Sequence, residues 1–393
     1  MLHIAIMGFG TVGAGVAEVV RMNAASIAEK TGEEVNVKYI LDVRDFPDSP
    51  YADKMIKDFA ILESDPEVEV VVESIGGAKV ALEFTRRALQ TGKHVVTSNK
   101  ELVATHGKEL LSIAKARGVN YLFEASVGGG IPVLRPLFED LSANQIEEIV
   151  GILNGTTNYI LTRMVKGGVS FADALKEAQS KGYAEADPTA DVEGIDAGRK
   201  ICILSDLAWG KEVLPQSISM EGISAIHLQD VDIAAKAGYR IKLLGRALRL
   251  PDGRQTAYVA PHLVPESCPI AVVDDVFNGI MIRGNAVGDV MFYGRGAGDL
   301  PTASAVMSDV LDAAAHRQNR RDIGWNESAE VTPAGEIPMK WYLRGSFSSE
   351  DAKTLCGEVE VLSSGAVITG ALTEAQVKDA AEKLGAAAML RVL

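Results

Sequence analysis

The first twenty residues constrain this chain more than any other stretch. Residues 2–7, LHIAIM, are apolar enough for a short buried strand, and GFGTVG follows at once. Its glycines, Gly8, Gly10 and Gly13, have GxGxxG spacing. An apolar helix then runs through Val16, Val19 and Val20. In that order the elements let backbone N–H groups at a helix N-terminus meet a pyrophosphate. Gly8, Phe9, Gly10, Thr11, Val12 and Gly13 are therefore expected to hold a dinucleotide.

The strand–helix rhythm continues. Residues 35–43, VNVKYILDV, read as the second strand, with Asp42 inside it, Arg44 just after it and Asp45 next. An acid at the end of this strand binds ribose hydroxyls in NAD-specific folds, whereas an arginine accommodates a 2′-phosphate. Arg44 facing the ribose favours NADP over NAD. Further strands are expected at 67–74, 93–100 and 120–126, with helices over 81–92 and 102–118. This βαβ order implies an α/β fold with a doubly wound parallel sheet of Rossmann type. Ligands bind beyond the carboxyl ends of such strands. Glu73, Ser74, Thr97, Ser98, Asn99, Lys100 and Glu124 fall there, and Ser74 and Lys100 join the expected cofactor residues.

From residue 133 the pattern changes. A helix over 133–144, a strand over 146–153 and a helix opening at NGTTNYIL (154–161) come first, with Asn154 and Thr156 as caps. Later strands at 239–250 and 254–264 and a hairpin at 280–294 suggest an α+β domain. GRGAGDLP (294–301) is a second glycine loop opening a helix, where Gly296 and Gly298 allow backbone to approach a ligand. Residues 320–338 read as a linker, and 339–393 parse as a small βαββαβ unit. The expected domains are thus 1–132 completed by 296–325, then 133–295, then 339–393.

With 393 residues, several domains are expected. Lys and Arg number 39 against 53 Asp and Glu, a net charge of −14 that argues against a nucleic-acid or anionic-membrane partner. The three cysteines, Cys202, Cys268 and Cys356, lack metal-ligand spacing and suit a reduced cytoplasmic protein. No signal peptide is read at the N-terminus, and no run of about 18 apolar residues suggests a membrane span.

The stretch 182–200, GYAEADPTADVEGIDAGRK, carries the chemistry. It holds five carboxylates, Glu185, Asp187, Asp191, Glu193 and Asp196. Pro188 keeps its first half out of a helix, and a helix is expected to enter at Asp191. Asp196 and Lys200 are four apart and share a face of that helix. An acid one turn before a lysine fixes its ammonium, a proton donor for a developing alkoxide. The apolar run after Lys200 places the pair at the rim of a core. The residues alone indicate a nicotinamide-dependent oxidoreductase with a cationic acid.

This stretch resembles the homoserine dehydrogenase signature GYxExDPxxDxxGxDxxxK. TSNK (97–100) and NGTTNYIL resemble further elements of that family, and the resemblance extends over residues 1 to about 330. It implies NAD(P)-dependent interconversion of aspartate 4-semialdehyde and homoserine, a step of threonine and methionine biosynthesis. Lys200 would be the acid/base, Asp196 its orienting partner and a substrate contact, and Lys100 an assistant at nicotinamide and substrate. Glu185 would take the substrate ammonium, with Gly182 and Thr156 nearby. EASVGGGIP (124–132) resembles the family's cation loop, which implies a monovalent ion such as sodium on Glu124, Val127, Gly129 and Ile131, structural rather than catalytic. The 294–317 segment would close over the nicotinamide. The tail resembles an ACT domain but carries SFSSEDAKTL where a DxPGVL-like turn is usual, so amino-acid sensing is not expected of it. A homodimer or dimer of dimers is implied. The rivals are another small-aldehyde or ketone reductase on this scaffold and a non-catalytic dinucleotide sensor. The Glu185, Asp196 and Lys200 set speaks against the sensor.

Overall fold

The computed structural model describes all residues, Met1–Leu393. They divide into two compact units. The first comprises Met1–Ala143, Ile203–Leu214 and Gly294–Ser328, and the second Asn144–Cys202, Pro215–Tyr293 and Ala329–Leu393.

The first unit is built on six strands: β1 (Leu2–Met7), β2 (Val35–Leu41), β3 (Met55–Ile56), β4 (Val68–Glu73), β5 (His94–Thr97) and β6 (Tyr121–Leu122). They pair in parallel in the order β3-β2-β1-β4-β5-β6. The order reverses between β1 and β4, so the loops after these two strands open the crevice where dinucleotides bind in such sheets. Buried Leu2, Ile4 and Ile6 of β1 pack with Val70 and Val72 of β4 and with Ala303, Val306 and Val310 of the helix Asp299–Ala315. That helix lies directly on the first helix, Thr11–Met22. A Cβ on Gly15 would stand 2.9 Å from the Asp299 carbonyl oxygen.

Strand β2 ends at Leu41, so Asp42 stands at its C-terminal end rather than inside it. The helix expected over 133–144 is confined to Leu134–Phe138, and the one expected from 102 already begins at Lys100. The segment read as a linker is anchored: Trp325 is buried against Gly107 and Phe123, and Glu327–Ser328 pair with Lys211–Glu212.

The second unit holds a ten-stranded sheet. Its main path runs Gly288–Arg295, Phe277–Gly284, Ile146–Ile152, Tyr239–Arg249, Gln255–Pro265, Ala386–Val392, Trp341–Gly345, Ala366–Thr369, Val359–Ser363. Residues 341–392 form strand–helix–strand–strand–helix–strand, the order read from sequence, and their strands pair antiparallel with one another. They continue the sheet of the same unit, because His262 and Leu263 pair with Arg391 and Val392.

Candidate active site

The glycine loop is shaped by contacts that admit no side chain. Gly8 has φ +91° and lies against the Ser74 backbone, and a Cβ on Gly13 would stand 1.9 Å from the Gly8 carbonyl oxygen. A Cβ on Gly10 would meet nothing nearer than Arg44, 3.9 Å away. No side chain caps the helix that Gly10 opens, so its first amides are left for a ligand. The loop therefore fits a pyrophosphate.

Asp42 and Arg44 occupy its rim together. The Asp42 carboxylate accepts the Phe9 N–H at 2.7 Å and the Arg44 guanidinium at 2.9 and 3.1 Å. The Arg44 side chain holds that carboxyl far below the usual range. Arg44 is exposed and lies over the Phe46 ring. Ser74 serves the loop from beneath, its hydroxyl donating to the Gly8 carbonyl at 2.9 Å. Lys100 is the first residue of the helix Lys100–Arg117, which Asn99 caps through the Leu102 N–H.

The expected cation loop belongs to this first unit. Glu124 is buried, and its carboxylate accepts the backbone N–H groups of Val133, Leu134 and Arg135 at 2.6, 2.8 and 2.7 Å. Burial raises its pKa despite these bonds. The carbonyls of Val127, Gly129 and Ile131 accept no backbone hydrogen bond. No cluster of His, Cys, Asp and Glu suits a transition metal. The second glycine loop adjoins here, since a Cβ on Gly129 would meet the Gly296 carbonyl oxygen at 2.4 Å. Gly298, at φ +125°, starts the following helix.

In the second unit the signature forms two helices. Thr189–Val192 ends at Gly194, whose φ of +78° breaks the helix expected to enter at Asp191, and Ile195–Trp209 follows. Asp196 and Lys200 lie on the second helix and are both buried. The Lys200 ammonium donates to Asp196 Oδ2 and to the Leu153 carbonyl, each at 2.7 Å. Asn154 donates from one amide nitrogen to Asp191 Oδ1 at 2.6 Å and Asp196 Oδ2 at 3.0 Å. Its Oδ1 caps the helix Gly155–Gly167 through the Thr157 N–H. Burial raises the Asp191 pKa.

Thr156 is not a cap. It lies inside that helix, and its hydroxyl donates to the Tyr183 carbonyl at 2.6 Å. Tyr159 packs edge-on against Tyr183, and Lys181 donates to the Tyr159 hydroxyl at 2.8 Å. The Gly182–Glu185 turn is thereby pinned to the helix, with Gly182 at φ +74° and the Glu185 side chain exposed. The structure thus joins Asp196 and Lys200 to Asn154 and Asp191, whose roles as bridge and acceptor sequence reasoning missed. Their signal was present in the motifs, but NGTT reads as a cap and Asp191 as one of many acids. The Leu153 carbonyl leaves no signal in a sequence.

A parallel sheet with an open glycine crevice, together with a buried lysine held by a carboxylate, defines an NAD(P)-dependent oxidoreductase. Comparison with known proteins sharpens this. Residues 8–124 match the family model described as homoserine dehydrogenase, NAD binding domain, and residues 132–311 match that of homoserine dehydrogenase. A homoserine dehydrogenase of Neisseria gonorrhoeae is 41% identical over 376 residues, covering 92% of this chain and 85% of that protein. One from Pseudomonas aeruginosa is 46% identical over 312 residues, 79% of this chain and 72% of that one. Among solved structures, a homoserine dehydrogenase from Thiobacillus denitrificans superposes with TM-score 0.91 at 37% identity, covering 100% of this chain and 98% of that one. An archaeal homoserine dehydrogenase in complex with NADPH has TM-score 0.66 at 29% identity, covering 80% and 98%. The chain belongs to the homoserine dehydrogenase family, NAD(P)-dependent oxidoreductases that act on a CH–OH group. No helix is long and apolar enough to cross a membrane.

Proposed function

We propose that Lys200 is the acid/base for the interconversion of L-homoserine and L-aspartate 4-semialdehyde. The observation that carries this is the buried lysine fixed by Asp196 Oδ2 and the Leu153 carbonyl, both at 2.7 Å. In the reducing direction the Lys200 ammonium gives a proton to the aldehyde oxygen as that oxygen gains negative charge. The Asp196 carboxylate keeps the ammonium in place throughout, and the Asn154 amide keeps Asp196 in place. Glu185, exposed on the pinned turn, takes the substrate ammonium. The nicotinamide, when bound, supplies or accepts the hydride.

In the first unit, the backbone of Gly8–Gly13 receives the pyrophosphate, and Lys100, Gly296 and Gly298 contribute nearby. Arg44 receives a 2′-phosphate, and the exposed guanidinium at the loop rim supports NADP over NAD. Its pairing with Asp42 is the competing feature, since Asp42 occupies the position that binds ribose hydroxyls in NAD-specific sheets. Glu124 and the carbonyls of Val127, Gly129 and Ile131 would hold a monovalent cation that fixes the loop. The outer strands of the second unit's sheet leave unpaired backbone groups, which suits the expected homodimer or dimer of dimers.

The test is a spectrophotometric assay with L-homoserine and either NAD or NADP. Appearance of reduced nicotinamide with homoserine, faster with NADP, is expected. Turnover of another small alcohol with none of homoserine would overturn the substrate assignment.

A further inference from the structure

Glu73 ends β4 beside the crevice and is fully buried, yet no role described above uses it. Its Oε1 accepts the Ile75 N–H at 2.7 Å, and its Oε2 accepts the Thr97 hydroxyl at 2.5 Å. The Thr97 oxygen in turn accepts the Asn99 N–H at 2.9 Å. The Asn99 amide donates to the Ile75 and Gly77 carbonyls at 3.1 and 2.8 Å. One carboxylate thus closes a ring of hydrogen bonds through the loop after β4 and the loop after β5. The first of these loops bears Ser74, whose N–H and hydroxyl both bond to the Met7 carbonyl and whose hydroxyl also bonds to that of Gly8. The second presents Lys100.

We propose that Glu73 is a positioning residue for the dinucleotide: as a carboxylate it ties these two loops to the glycine loop, and on gaining a proton it loosens them. The chemistry lies in the donors. A carboxylate accepts at both oxygens. Protonated at Oε2, it would offer a proton to Thr97, whose own hydroxyl proton would then lose its acceptor inside a buried site. Burial pushes the Glu73 pKa up to about 7 against the bonds from Thr97, Ile75 and Asn99, so the change falls in a workable range. The groups facing it from its own loop and from β5 are neutral donors. From β6 the facing titratable group is Tyr121, buried and itself raised well above its usual value.

The inference rests on the dinucleotide reading of the first unit. Its test is NADPH binding, followed by nicotinamide fluorescence, in wild type and Glu73→Gln from pH 5.5 to 8.5. Glutamine keeps one acceptor but places an NH₂ against Thr97, like the protonated acid. Comparing the two proteins at each pH cancels titration of the ligand phosphate. The expected result is about tenfold weaker binding by the variant at pH 8.5, shrinking toward equality at pH 5.5. Thr97→Val should reproduce the loss at pH 8.5, and Thr97→Ser should restore binding; this pair decides the matter if Glu73→Gln does not fold. Equal affinities at pH 8.5, or a ratio that stays constant with pH, would overturn the proposal. Wild type that does not bind NADPH would overturn the dinucleotide reading instead, and this inference with it.

Discussion

The two units prepare their ligand sites by opposite means. The first uses backbone: Gly8 and Gly13 are set by close contacts, Gly10 is left open and an uncapped helix offers its amides. The second uses side chains: Lys200, Asp196 and Asn154 are buried and lock one another's orientation. Burial shifts ionisable groups in both units, raising acids and lowering bases. Burial raises the acids Glu73 and Asp309 in the first unit, to about 7 and about 8. In the second unit, burial lowers the base His262 to about 3 and also lowers Lys242. A backbone site suits a ligand whose phosphates are alike in every turnover. A buried side-chain site suits an atom that must gain or lose one proton.

Breaking the substrate contact proposed for the second unit should have the larger effect. Glu185→Gln removes a charged partner for an ammonium, a loss of about 1.5–3 kcal/mol, and should raise the homoserine KM roughly 10- to 100-fold with cofactor KM unchanged. Steady-state kinetics with each substrate varied checks this; an effect on cofactor alone would break the division between the units. In the first unit, Arg44→Ala should weaken NADP by roughly tenfold while changing NAD little. Unchanged discrimination would show that the Asp42–Arg44 pair does not read the ribose.

Acid should act with opposite sign on two buried groups, one in each unit. His262 has a folded pKa near 3 against an ordinary 6.5, so its stabilisation is complete above 6.5 and falls as pH drops below it. By pH 5 that loss is about 2 kcal/mol. Glu73, raised to about 7 from 4.5, works the other way: the folded state gains relative stability as pH falls from 7 toward 4.5. Thermal unfolding between pH 7 and 5 should therefore fall less steeply in His262→Gln and more steeply in Glu73→Gln. Identical slopes in all three proteins would remove this contrast.

The smallest expected effect is none. Threonine titrated at sub-saturating homoserine should leave the rate nearly unchanged. In the tail, Ser348 caps the helix Ser349–Cys356 and Asp351 reaches back to the Ser348 N–H and hydroxyl, so the helix start is occupied by the chain's own carboxylate. Half-inhibition in the low millimolar range, abolished by deleting residues 339–393, would show that the tail binds effector.

Glycine spacing, strand–helix rhythm and the tail's element order were all legible in the sequence, because each depends on local periodicity or on positions that exclude a side chain. The Asp196–Lys200 pair was legible for the same reason, being one helical turn apart. What escaped was tertiary. Asn154 reaches Asp191 and Asp196 across 37 and 42 residues, and a backbone carbonyl, Leu153, completes the lysine's cradle. Gly194 split the signature into two helices, since its left-handed backbone lies against Val259 of the sheet. The second strand ends at Leu41, two residues before the end read from sequence, which makes Asp42 a rim residue rather than a strand residue.

Lys200 is proposed to supply the proton in one unit while the other binds the dinucleotide through its backbone. The decisive variant is Lys200→Ala, measured for kcat with homoserine and for NADPH affinity in the same preparation. The expected result is a fall in kcat of about 10²-fold or more with NADPH affinity within about twofold of wild type. A parallel loss of NADPH binding, or a kcat within a few-fold of wild type, would contradict it.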